Sequence, residues 1–356
     1  MHSNRRDERA HAVPCNFRKH GMARPRFLPD NFTLMLIATV LLASFLPAYG
    51  SVARGLEWAA MGVIFMLFFL HGAKLSRQAI WAGISHWRLH LLVTSITFIV
   101  FPLLGWGLRP VLEPLLTPDL YLGVLFLCTL PATVQSAVTL TAVARGNMPA
   151  AICSASGSTL MGIVLTPLLV GLLLSQTAGS SDPLQAMGRI SLQLLLPFAL
   201  GHGLRPWVSP FLQRHAARIK GLDQTSILLV VYSAFSASVV AGLWTRIPPL
   251  ALGVLVLVCG LLLALAMGIS VWLARRFGFS TEDEAAIIFC GSQKSLVSGV
   301  PMAKVLFAPS VMGGMVLPLM IFHPMQLMVA AWVAGRYARR PVGTEAPSAA
   351  AAPAKA

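Results

Sequence analysis

Charge is scarce in this sequence. Of 356 residues only 12 are Asp or Glu and 27 are Lys or Arg, so 11% are charged, against about 25% in soluble domains. With 56% hydrophobic residues and a mean hydropathy of +0.74, an ordinary soluble fold is excluded. No Asp or Glu lies deep in any long apolar run. Paired intramembrane carboxylates for acid/base or protease chemistry are therefore missing. HExxH, GxSxG and a glycine-rich phosphate loop are missing too, and the expectation is that the protein is not an enzyme. The five cysteines, Cys15, Cys128, Cys153, Cys259 and Cys290, form no CxxC pair, and four of them lie in apolar runs. They read as reduced packing residues rather than a disulfide or zinc framework.

What is present is a series of long apolar segments. A span needs about 20 mostly apolar residues to cross a ~30 Å hydrocarbon core. Ten segments qualify: 32–48, 58–73, 88–107, 120–144, 149–174, 187–204, 224–244, 250–273, 285–307 and 311–334. The net charge of +15 could suggest nucleic acid, but with these spans it reads as a topology signal. With the N-terminus inside, only Arg54, Arg109, Arg189 and Arg246 fall on outside segments. The other basic residues fall inside, apart from Lys294 and Lys304 in span nine. Trp58, Trp81, Trp87, Trp106, Trp207, Trp244, Trp272 and Trp332 all lie near span ends, where indole prefers the headgroup level. The basic stretch 1–30 reads as a retained cytoplasmic tail, not a signal peptide. The Ala/Pro-rich stretch 336–356 reads as a second cytoplasmic tail.

Ten spans divide into five and five, 31–174 and 175–335. Five is odd, so a repeat at that division is inverted, as in many secondary transporters. The fourth span of each half is interrupted. Span four carries Pro131 with Thr133, Gln135, Ser136, Thr139 and Thr141; span nine carries Gly291, Ser292, Gln293, Lys294 and Ser295, with Ser298, Gly299 and Pro301 beyond. A mid-span proline removes a backbone donor, and unwound backbone is tolerated in a bilayer only where it is buried or lines a cavity. Paired interruptions point to a midplane binding site; packing kinks are the plainer alternative.

Lys294 lies about nine residues into span nine, ~14 Å deep at 1.5 Å per residue. A lysine there costs roughly 2.5–3.5 kcal/mol on insertion scales, so it should face the protein interior. It has no carboxylate partner in sequence. It is either neutral, or its charge is met by carbonyls or by a bound anion. Lys304, near the outer end, can snorkel. Ser154, Ser156, Ser158 and Thr159 of span five serve close packing or face the crossing. His71, His202 and His323 read as capping residues, with a proton relay as the alternative, and Gln326 faces either the site or a neighbouring helix.

The segments Pro131 to Asn147 (PATVQSAVTLTAVARGN), Phe289 to Phe307 (FCGSQKSLVSGVPMAKVLF), His323 to Leu327 (HPMQL) and Phe68 to Leu75 (FFLHGAKL) resemble the bile acid:sodium symporter superfamily. The likeness is closest to a divergent branch typified by the seventh member of the mammalian family and its bacterial and fungal relatives. It covers about residues 27 to 336. It implies an all-α polytopic membrane protein in which spans four and nine cross at their breaks. Spans three, four, five, eight, nine and ten would form a core domain; spans one, two, six and seven a panel. Sodium-coupled members hold two sodium ions behind the crossing. Carried over, Ser136, Ser158 and Gln293 match three of the ligand positions. The sequence departs where the span-nine glutamate falls on Phe289, where asparagine gives way to Ala137, and where Lys294 follows the glutamine. An ammonium at ~4 Å from a sodium ion repels it by ~4 kcal/mol at an effective dielectric near 20, a loss of about a thousandfold.

The expectation is a secondary transporter of a small organic anion in the cell inner membrane, both termini cytoplasmic. Pro131, Gln135, Ser136, Thr139, Ser158, Gln293, Lys294 and Ser295 form its polar site. No cofactor is expected beyond Na+ or H+ as coupling ion, and a homo-oligomer is allowed. The rival reading is a non-transporting regulator of calcium or ion homeostasis that works through cytoplasmic loops such as 206–222, as the branch's association with calcium homeostasis implies.

Overall fold

The computed structural model describes residues 31–74, 86–174 and 194–340. The basic tail 1–30, the stretch 341–356, Arg77, Trp81, Arg189 and the start of the sixth segment lie outside the described residues.

Every regular element among the described residues is helical. The first half holds α1 (Asn31–Phe45), α2 (Gly50–Lys74), α3 (Trp87–Gly107), the pair α4 (Pro118–Thr129) and α5 (Val134–Val143), and α6 (Met148–Leu174). The second holds α7 (Leu194–Gly203), α8 (Arg205–Arg214), α9 (Ala216–Val240), α10 (Pro249–Arg276), the pair α11 (Thr281–Ser292) and α12 (Leu296–Leu306), and α13 (Pro309–Ala338). Five of these, α2, α3, α6, α10 and α13, are long and apolar enough to cross a membrane. The bent pair α4–α5, turned by 61°, makes a sixth if it is one span. The chain is a polytopic membrane protein.

Local chemistry sets the helix ends. Pro118, Pro249 and Pro309 each stand in a first turn, where the missing N–H is no loss. Ser280 caps α11 by accepting from the Asp283 N–H, and Glu282, Asp283 and Glu284 in that turn suit the positive end of the helix dipole. Arg275 and Arg276 complement the C-terminal end of α10.

The outward faces are apolar. Leu250, Leu257, Leu172 and Phe45 are more than 60% exposed, and all seven described tryptophans are exposed. In a bilayer such surface meets lipid and the headgroup belt. One residue and one segment depart from the simple reading. Lys304 does not extend to the surface: its side chain is 6% exposed and its Nζ lies 3.8 Å from Glu57 Oε1 of α2. The expected loop 206–222 is largely helix. Pro206 opens α8, and α9 begins at Ala216, ahead of the apolar run at 224. Val208, Leu212 and Ile219 there bury apolar surface against Leu70 and Ala73 of α2, which repays helix formation outside the apolar span.

The helices associate in two groups. α8 packs on α2, and both α1 and α2 pack on α9; α3 to α6 pack with α10 to α13, and α9 touches α12 and α13. α2 and α7 meet backbone to backbone. A Cβ on Gly72 would stand 2.0 Å from the Phe198 carbonyl oxygen, and one on Gly201 would stand 1.9 Å from that of Phe69. Small residues let membrane helices approach this closely. Gly72→Val or Gly201→Val should therefore push α2 from α7, with a loss on the order of 1–3 kcal/mol as in other overpacked contacts. A melting temperature in detergent unchanged by either substitution would contradict the contact.

Candidate functional site at the crossing of two broken helices

α4 ends at Thr129, and residues 130 to 133 run extended, with Leu130 at φ −72°, ψ 150°. Pro131 cannot donate to a helix ladder, and Gly162 of α6 makes room for its ring: a Cβ there would lie 2.6 Å from Pro131 Cβ. α11 ends at Ser292, with Gln293 at φ −93°, ψ 143°, and Ser295 caps α12 by accepting from the Ser298 N–H. The two breaks touch: the Ser295 N–H donates to the Pro131 carbonyl at 2.9 Å.

A break inside a bilayer leaves carbonyls that must find donors within the protein. At α4 each is accounted for. Thr129 Oγ1 donates to Phe126 O at 2.8 Å, and the Leu130 N–H to Leu127 O at 3.3 Å. Thr166 Oγ1 donates to Thr129 O at 2.8 Å. Lys294 Nζ donates to Cys128 O at 2.9 Å and Leu130 O at 2.8 Å. The extended strand is also held by the Ala132 N–H, which donates to Ser158 Oγ at 2.9 Å.

The third acceptor of Lys294 Nζ is Thr97 O of α3, at 2.9 Å. That carbonyl is free for a local reason. Ile96–Val100 is a π turn, and the Phe101 N–H reaches back to Ile96 O. The next residue is Pro102, which has no N–H. Neither donor that the turn could supply to Thr97 is available. The Phe101 ring lies 4.1 Å from the ammonium, within cation–π range. Lys294 is fully buried. Its backbone is held as firmly: its N–H donates to Gln326 Oε1 at 2.7 Å, and Gln326 Nε2 donates to its carbonyl at 2.9 Å.

On the other face of the crossing is a cavity of about 710 Å³. Its polar wall is Thr133, Gln135 and Ser136 at the start of α5, Ser295 and Ser298 at the start of α12, and Ser156 and Thr159 of α6. Its apolar wall includes Phe32, Phe198 and Ile227. Lys74, His71 and His323 line it, and no carboxylate does among the described residues. The Thr133 side chain caps none of the first-turn N–H groups of α5, so the positive end of that helix is open at the cavity wall.

Comparison with known proteins identifies the family. The profile of the SBF-like CPA transporter family matches residues 30–339. The chain belongs to that family. It is 61% identical to "Uncharacterized protein PA2026" of Pseudomonas aeruginosa over 319 residues, 90% of this chain and 96% of that one. It is 53% identical to "Putative symporter YfeH" of Escherichia coli strain K12, over 87% of this chain and 93% of that one. It is 28% identical to "Sodium/bile acid cotransporter 7-B" of Xenopus laevis, over 85% and 90% respectively.

In this SBF-like protein the expected site residues divide into two sets. Gln135, Ser136, Thr139 and Ser295 line the cavity. Pro131, Ser158, Gln293 and Lys294 do not. Ser158 and Lys294 hold backbone behind it, and the fully buried Gln293 accepts from Ser136 Oγ at 2.6 Å while its Nε2 has no partner. Lys294 and Gln135 therefore belong to one crossing but not to one cavity. Four contributors to the crossing are not singled out by the sequence: Thr97, Cys128, Leu130 and Thr166. Pro102, five residues after Thr97, is the one local signal for the free carbonyl. His71 and His323, which read as caps, reach the cavity wall, and Gln326 faces the crossing. Gln326→Leu removes both bonds to the Lys294 backbone and buries two groups without partners, each costing about 1–3 kcal/mol. The melting temperature should fall by several degrees; a Gln326→Leu protein as stable as the wild type would refute that role.

Proposed function

We propose that this protein is a secondary transporter that moves a small organic anion across the cell inner membrane through the cavity at the crossing. The observation that carries the proposal is the lining of that cavity. It combines an uncapped helix start, hydroxyl and amide groups, and Lys74, with no described carboxylate. Such a wall attracts negative charge, while Phe32, Phe198 and Ile227 accommodate an apolar part. The names of the relatives, a symporter and a sodium/bile acid cotransporter, support transport as the activity.

The finer topology is part of the same proposal. Ten crossings form two inverted repeats of five, with α4–α5 and α11–α12 as the crossing spans. The group α3–α6 with α10–α13 acts as the core, and α1, α2, α7 and α9 as the panel. With the basic segments and both termini inside, the Lys74 end of α2 is cytoplasmic, so the cavity opens inward. Conventional coupling to two sodium ions is disfavoured, since the buried charge of Lys294 lies at the same crossing and the span-nine carboxylate is replaced by Phe289.

The test is binding across a range of anions, so it does not depend on choosing one substrate in advance. A panel of carboxylates and sulfonates is screened for thermal stabilisation of the purified protein, in sodium and in choline. At least one anion should raise the melting temperature saturably, and Gln135→Leu or Lys74→Met should weaken its apparent affinity about tenfold or more. A panel without any response, or a response indifferent to both substitutions, would refute an anion site here. Uptake of the stabilising anion into proteoliposomes then separates a transporter from a non-transporting regulator.

A further inference from the structure

We propose that the carbonyls of Thr97, Cys128 and Leu130 form a monovalent-cation site that the chain fills permanently with its own Lys294 ammonium, so that the crossing needs no dissociable ion to hold its shape. This deepens the transport reading of the same crossing, but it rests on the hydrogen-bond geometry behind the cavity and not on the identity of the substrate.

The three oxygens lie 2.9, 2.9 and 2.8 Å from one nitrogen. An ammonium has three donors and no acceptor, and each donor here has its own carbonyl. A neutral amine has two donors, and would turn its lone pair toward the third oxygen. Each carbonyl lacks a helical donor for a reason written in the chain: the α4 break at Pro131 in two cases, the π turn and Pro102 in the third. The acceptors come from two helices and the donor from a third segment, so no single packing accident places them. Rings of backbone carbonyls are the ligands with which proteins replace the hydration shell of small monovalent cations. Full burial of Lys294 and the Phe101 face at 4.1 Å close the site on its remaining sides. A cation tethered by its own side chain does not dissociate, and its charge excludes a second cation from the same oxygens.

The experiment uses the full-length protein in detergent, without any organic anion, so its failure is distinct from failure of the substrate reading. Melting temperatures of the wild type, Lys294→Ala and Lys294→Met are compared in equal concentrations of sodium, potassium, choline and n-propylammonium chloride, present from solubilisation onward. n-Propylammonium matches the atoms that Lys294→Ala removes. The wild type should melt at the same temperature in all four salts. Lys294→Ala should melt several degrees lower in choline and recover at least half the loss, saturably, in n-propylammonium. Lys294→Met, which fills the space without donors, should lose stability and be rescued by no salt. The proposal is overturned if sodium or potassium selectively stabilises the wild type, if either variant equals the wild type in choline, or if the loss in Lys294→Ala is recovered by no cation. The wild-type arm decides even where neither variant folds.

Discussion

A lipid bilayer offers no water to a broken helix, so every carbonyl freed at a break must be met by a donor from the protein. That constraint organises this structure around Lys294. Its ammonium answers two carbonyls at the end of α4 and one in α3, while Gln326 fixes its backbone from α13. The cost of placing a lysine in the hydrocarbon interior is offset by removing three unsatisfied acceptors at once, each worth about 1–3 kcal/mol. Deep burial of a cation and deep interruption of a helix are separately unfavourable; here each resolves the other.

The same arrangement gives the crossing a polarity. A broken helix presents a negative end where one half stops and a positive end where the next begins. At α4 the negative end is covered by the Lys294 charge. At α5 the positive end is left uncapped and its first turn lines the cavity. The cavity therefore faces helix starts and hydroxyls, while the lysine charge is directed at backbone behind them. This division explains why a residue that looks like a substrate ligand in sequence need not touch substrate, and why the proposed anion site does not depend on direct contact with its ammonium.

Much of this is legible in the residues. Pro131 and the Gly291–Lys294 stretch mark breaks because proline, glycine and adjacent polar residues oppose an apolar helix, and a lysine with no nearby carboxylate must turn inward. What is hidden is which atoms answer it. Its acceptors are backbone carbonyls, which every residue carries, so Thr97 and Cys128 leave no compositional mark. Only the missing N–H of Pro102 hints at the first. Side-chain direction around α6 is likewise out of reach: Ser156 and Thr159 face the cavity while Ser158, in the same run, faces the Pro131 strand. The helix α8 reads as loop because its apolar residues are few, yet Val208 and Leu212 suffice against the end of α2.

The hydrogen bonds also distinguish what can move from what cannot. Those around Lys294 tie α3, α4 and α13 together; Ser136 with Gln293, Ala132 with Ser158 and Ser295 with Pro131 add α5, α6, α11 and α12. Breaking this set would strand buried polar groups, so these helices form one piece. The polar contacts from α2 and α9 to α12 and the start of α13 do not involve Lys294 or the two breaks. Ser238 Oγ donates to Pro309 O and accepts from the Gly313 N–H, and Lys304 pairs with Glu57. Glu57 stands near the opposite end of α2 from Lys74, which lines the cavity. Access to alternate sides by rocking α1, α2 and α9 against the intact crossing would leave every bond to Lys294 in place, whereas separating the two broken spans would strip the cage of its cation. The chemistry of the buried lysine thus favours movement of the lining around the crossing over movement within it.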